Sequence, residues 1–172
     1  MLINTEVVLQ KAKEVHSLCK TGNAYMIADM LGIHVMPRPF VHQKGVYKVI
    51  LGQRFIFMKD DLDDVMKNMV LLHEIGHDQL HREEAGLNGG FQEFNIFNMR
   101  GISMEYEANL FAAQVSLPDE EILELLEEGY DIQYIAKTMN SDINLVVLKI
   151  DMLIRQGYKL RKVEHRNDFL RF

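Results

Sequence analysis

Asp60-Asp61-Leu62-Asp63-Asp64-Val65-Met66-Lys67-Asn68-Met69-Val70-Leu71-Leu72-His73-Glu74-Ile75-Gly76-His77-Asp78-Gln79-Leu80 is the stretch on which the reading turns. Leu62, Met66, Met69 and Leu80 stand in register with His73 and His77, at the three- and four-residue steps of one helix face. The run predicts a helix over 60–80, capped by Asp60 or Asp61, with acids stacked in its first turn. Within it, His73-Glu74-Ile75-Gly76-His77 is an H-E-x-x-H pattern. Two imidazoles four residues apart on a helix can reach one ion, and Glu74 comes out beside it, placed to take a proton from water. Two imidazoles on a buried stripe must find partners. A hydrogen-bonded core pair would satisfy them. A metal satisfies both and also accounts for the glutamate, which points to a zinc-dependent hydrolase.

Before this run, Gly45 to Met58 is rich in β-formers and reads as a hairpin turning at Gly52-Gln53. Its edge near Phe55–Met58 could take a substrate backbone as an added strand. Helices are predicted over Asn4–Cys19 and Ala24–Leu31, the second stopped by Gly32. A strand follows at Ile33–Met36, ended by Pro37-Arg38-Pro39. After the motif, Arg82 to Ser103 has no clean period and carries Phe91, Phe94 and Phe97, as a small satellite core or as the wall or lid of a pocket. Helices resume over Met104–Val115, Asp119–Glu128, Asp131–Met139 and Asp142–Arg155. The fold class expected is α+β: a mostly helical, zincin-like domain with a small antiparallel sheet or hairpin beside the motif helix and a helical C-terminal half.

At 172 residues and 48% hydrophobic, the chain suits one domain with a real core. Residues 1–128 read as the catalytic core and 129–172 as a helical appendage with a basic tail. No apolar run approaches the roughly 18 residues of a membrane span, and the N-terminus lacks the pattern of a signal peptide. Cys19 is alone, so an intrachain disulfide is impossible and a reducing compartment is expected. These features point to a cytoplasmic protein. The net charge is −6, yet residues 155–172 carry six Lys/Arg against Glu164 and Asp168. From Gly101 to Ala136 there are acids but no Lys or Arg. Such a surface repels phosphate backbones and suits a basic protein partner.

A catalytic zinc takes three protein ligands and leaves one position for water. Leu80 and Glu83 stand where the extended pattern with a third histidine needs Gly and His, so that class is excluded. The downstream run Glu105-Tyr106-Glu107-Ala108-Asn109-Leu110-Phe111-Ala112-Ala113 offers Glu105, favoured as third ligand, with Glu107 as the alternative. Asn109, one turn from Glu105, could fix an imidazole tautomer from outside the ligand set. Gly76, Ala108 and Ala112 are small enough to let the two helices approach. His81 reads as a further supporting group or pocket wall. His16, His34, His42 and His165 have no spacing that suggests a site.

His73-Glu74-Ile75-Gly76-His77 with His81, then Glu105-Tyr106-Glu107-Ala108-Asn109 and Pro118, resembles the ImmA/IrrE-type zinc metallopeptidases. The likeness covers about half the chain. Ser116, where that family has an unbroken apolar run, is a mild departure. The resemblance implies a gluzincin-like centre with His73, His77 and Glu105 on the metal and Glu74 as general base. It also implies a site-specific intracellular protease, many of whose kind cleave a helix-turn-helix repressor of a phage or mobile element. Zinc is the metal expected, with Mn2+ and Fe2+ left open. Two rivals remain at this stage. One is a metal-binding regulator that works by contact without turnover. The other is a DNA-binding regulator using the helices around Ile135–Val146, against which stand Lys149 at an expected apolar position and Asp142 at the head of the second helix.

Overall fold

The computed structural model of the chain describes residues 4–87 and 99–160. Helix α1 (Thr5–Cys19) starts on Asn4, whose side chain accepts from the Val7 N–H, and α2 (Ala24–Met30) starts on Asn23, which accepts from Met26. After Gly32, at φ +69, the chain enters β1 (His34–Arg38). Strands β2 (Gly45–Ile50) and β3 (Gln53–Lys59) pair antiparallel, with Ile50 opposite Gln53. The turn residues are therefore Leu51 and Gly52, both with positive φ, one residue earlier than composition suggests.

Two expectations about the sheet need correction. Strand β1 continues through Pro37 to Arg38 and runs parallel to β3, so the sheet is mixed, in the order β1-β3-β2. Pro37 is tolerated because β1 is an edge strand, where a missing N–H breaks no ladder on the open side. Strand β3 is the middle strand, paired on both sides, so no substrate strand can be added at Phe55–Met58. The sheet's outer edges belong to β1 and β2.

Helix α3 (Asp64–Leu80) carries the motif. Its cap is Asp63, not Asp60 or Asp61: the Asp63 carboxylate accepts from the Met66 N–H at 2.8 Å. Leu62 thus precedes the helix. Next come α4 (Arg82–Leu87), α5 (Met99–Ser116), α6 (Asp119–Glu127), α7 (Ile132–Thr138) and α8 (Ile143–Arg155). Phe91, Phe94, Phe97 and the basic tail from 161 lie outside the described residues.

The result is an α+β fold, mostly helical, built on one core. Ile27, Tyr47, Ile56, Leu71, Ile75, Phe111 and Leu153 all belong to it. The helices after 128 are not separate from it, since Ile135, Leu145, Ile150 and Leu153 join the same cluster. Helix α8 is buried at every position from Leu145 to Ile150. It is therefore a core helix and has little side-chain surface to offer a DNA groove. Lys149, 1% exposed, explains its unusual position by pairing with Asp119 at the start of α6 and donating to Gln114 Oε1 of α5 at 2.6 Å.

Helices α3 and α5 are in close contact at Gly76. A Cβ there would lie 3.0 Å from Ala108 Cα and 3.1 Å from the Ala108 carbonyl oxygen. This approach sets the spacing of the site.

Candidate metal centre

On α3, His73 and His77 are one turn apart and present both Nε2 atoms to one point, 3.1 Å from each other. Glu105, on α5, closes the triangle. Its carboxylate oxygens lie 3.2 Å from His73 Nε2 and 3.2 Å from His77 Nε2. These three residues form a group that could hold a metal ion. Zn–N bonds of about 2.0–2.1 Å in a tetrahedron place ligand atoms roughly 3.3 Å apart, close to the separations seen.

The hydrogen bonds behind the imidazoles favour the same use. Asn109 Oδ1 lies 3.0 Å from His73 Nδ1 and can only accept, so that nitrogen carries the hydrogen and Nε2 keeps its lone pair. For His77 the chain is longer. Glu107 Oε2 lies 2.9 Å from His81 Nε2, and His81 Nδ1 lies 3.1 Å from His77 Nδ1. With the His81 Nε2–H given to the carboxylate, His81 Nδ1 accepts from His77 Nδ1–H. The lone pair of His77 Nε2 then also faces the triangle. Two lone pairs at 3.1 Å repel unless a cation sits between them. Glu107 is thus engaged with His81, and it also accepts from the Asn4 N–H at 3.0 Å. Of the two acids on this helix, Glu105 is the one the fold brings to His73 and His77.

Without a metal, the charges strain against burial. Burial pushes Glu74 up to about 7, although His73 and the Tyr47 backbone N–H pull it down. Burial also opposes charge on His73, but Glu105 outweighs it and raises His73 to about 9. His77, more deeply enclosed and next to a charged His73, falls to about 4. Glu105 is partly desolvated, yet the two imidazoles hold it well below the usual carboxylate range. The site thus binds one positive charge as a proton where a divalent cation would give more.

Glu74 is buried beside this triangle and packed from the sheet side. Gly45, at the head of β2, lies against it: a Cβ at Gly45 would come 2.8 Å from Glu74 Oε1 and 2.7 Å from Val70 Cγ1. Sequence reasoning did not find Gly45 or the Tyr47 amide. The signal available was a glycine opening an otherwise β-branched strand, which marks close backbone approach. The Tyr47 hydroxyl is committed elsewhere. It donates to Asp78 Oδ1 at 2.8 Å, and the same buried carboxylate pairs with the partly buried Arg54 and the exposed Arg82.

The profile of Peptidase_M78, the IrrE N-terminal-like domain, matches residues 28–150. Metallopeptidase ImmA of Bacillus subtilis (strain 168) is 26% identical over 137 residues, 77% of this chain and 78% of that protein. Uncharacterized immunity region protein 2 of Bacillus phage phi105 is 34% identical over 102 residues, which are 58% of this chain. The chain spans 61% of the length of that phage relative. No described helix is long and apolar enough to cross a membrane.

Proposed function

The chain belongs to the ImmA/IrrE-type metallopeptidases, the IrrE N-terminal-like domain family, and from that premise we propose that it is a zinc-dependent endopeptidase. The observation that carries the proposal is the convergence of His73 Nε2, His77 Nε2 and the Glu105 carboxylate within 4.8 Å of one another, with Glu74 beside them. The donor set of two imidazoles and a carboxylate suits zinc. When bound, such an ion acidifies a water and polarises the scissile carbonyl. Glu74 accepts the proton of that water and returns it to the leaving nitrogen. Asn109 and the Glu107–His81 pair hold the two imidazoles in the tautomer that leaves Nε2 free. The outer edge of β2, whose first residue touches Glu74, is where a substrate strand would align.

For the substrate, we take a helix-turn-helix repressor of a phage or mobile element, cut at one site so that its genes are released. The immunity-region relative supports this reading, as does the acidic exposed face of α6 at Glu120, Glu121 and Glu124, which suits a basic protein. A substrate of that kind goes with a cytoplasmic protein, in keeping with the single Cys19.

The test is incubation of the zinc-loaded protein with the repressor encoded beside it, read by mass spectrometry for a single cut. Glu74→Gln should keep the metal and lose cleavage. A Glu74→Gln protein that still relieves repression in cells would move the reading to a regulator acting by contact.

A further inference from the structure

The face of α3 that carries His73 and His77 continues toward its N-terminus into a groove of about 500 Å3. Its apolar lining includes Val65, Met66 and Met69 of α3, with Ala136 of α7 and Ile143 of α8. Its rim carries two carboxylates, Asp63 and Asp142. At 100° per residue, Met66, Met69 and His73 fall within about 60° of one another around the helix. Met69 precedes His73 by one turn, about 6 Å along the axis, and Met66 precedes it by about 10 Å. An extended peptide advances about 3.3 Å per residue. A substrate chain running along this face would meet the groove about two or three residues from the bond that is cut.

We propose that this groove is a subsite for a lysine or arginine side chain of the polypeptide substrate, with its aliphatic stem on Met66 and Met69 and its cation between Asp63 and Asp142. The inference rests on the peptidase reading for its place in the reaction. Long basic side chains combine an apolar stem with a charged head, and the groove has an apolar wall with a charged rim. Each rim carboxylate uses Oδ1 as a helix cap, Asp63 toward the Met66 N–H and Asp142 toward the Asn144 N–H, both at 2.8 Å. No ion pair among the described residues involves either one, so both keep charge to offer. Each carries a full negative charge against the half-charge of the helix N-terminus it caps, so the rim is net negative. The Met side chains adapt to either basic stem.

The test separates this subsite from the catalytic reading. Zinc-loaded Glu74→Gln protein is titrated with fluorescein-labelled decapeptides from a degenerate library in which one position is Lys, Arg, norleucine or Glu. Norleucine keeps the stem and drops the charge. Lys and Arg should bind about tenfold tighter than norleucine, and Glu weakest. In Asp63→Asn/Asp142→Asn the preference for Lys and Arg should vanish while norleucine binding holds. Asn caps helices as well as Asp does, so the fold and zinc content should be kept. Equal binding of Lys and norleucine peptides, or a preference that survives the double substitution, overturns the subsite. The same peptides are then offered to the Glu74 protein. Selective binding without any cut would sink the peptidase reading and leave the subsite standing; cutting indifferent to the double substitution would do the reverse.

Discussion

Gly45 lies against the carboxyl group of Glu74, so closely that a single added methyl would stand 2.8 Å from Oε1 and 3.0 Å from Cγ. The first strand of the hairpin thus sets where the proposed general base can be. Gly45→Ala should displace Glu74 and Val70 and lower the cleavage rate by about 10- to 100-fold, since small misplacements at a reacting centre carry costs of that order. Zinc content, measured by elemental analysis, should remain at one ion per chain. A variant with normal turnover would show that the carboxylate position tolerates more than the packing implies.

Metal affinity should depend on Glu107 and His81, although neither is among the three proposed ligands. Removing the acceptor frees His81 to change tautomer, and His77 then loses the partner that keeps its Nε2 lone pair inward. Glu107→Ala or His81→Phe should weaken zinc binding by about 10- to 100-fold. Competition with a chromophoric chelator measures this directly.

Proton release should accompany metal binding. In the metal-free protein His73 titrates near 9, so it is protonated at pH 7 and must give up that proton to bind an ion. Glu74, near 7, gives up a further fraction as the cation arrives. Affinity should therefore rise with pH up to about 9, and calorimetry in two buffers of different ionisation heat should count between one and two protons. The stability of the metal-free protein carries the matching signs. His73, raised above its ordinary 6.5, contributes stability present below 6.5 and lost as pH rises through 9. His77, lowered to about 4, contributes stability present above 6.5 and lost as pH falls toward 4. Melting curves at pH 5, 7 and 9 with and without zinc would show whether the loaded protein escapes the alkaline loss.

Gly76→Ala should act on both fold and site. The added methyl meets Ala108 backbone, which cannot yield without parting α3 from α5. Overpacking of this kind costs about 1–3 kcal/mol, and separation of the helices should also lower zinc affinity. Chemical denaturation and metal titration on the same variant test the coupling.

The Lys149–Asp119 pair ties α8 to the start of α6. Replacing the buried lysine with methionine should change stability little, because an apolar side chain of similar shape needs no partner. Asp119→Ala leaves the buried ammonium with Gln114 as its hydrogen-bond acceptor and only the more distant charge of Glu120, and should cost about 1–3 kcal/mol given that Asp119 is partly in water. Equal effects of the two substitutions would contradict this account.

Some parts of this architecture could be read along the chain because they depend on near neighbours. The motif helix, the Asn4 helix, the hairpin and the Pro118–Glu127 helix each follow from periodicity, caps and turn residues within a few positions. The misses are instructive. The cap was expected at Asp60 or Asp61, with the later acids in the first turn, and only the actual start of α3 selects Asp63. Pro37 looked like a strand end because its missing N–H matters only if that side of the strand is paired, and β1 turned out to be an edge. Lys149 looked out of place for a core because its partners Gln114 and Asp119 lie 30 or more positions earlier.

Spacing along one helix was enough to put His73 and His77 on a common face, since 3.6 residues per turn is a local rule. Which acid reaches them was a matter of how α5 crosses α3, and that crossing depends on Gly76 meeting Ala108. The placement of Glu107 on His81, of Gly45 on Glu74, and of the groove between α3 and the α7–α8 corner likewise required distant segments to be packed together. Local rules order the side chains around an element, and only packing between elements sets the distances across which chemistry happens.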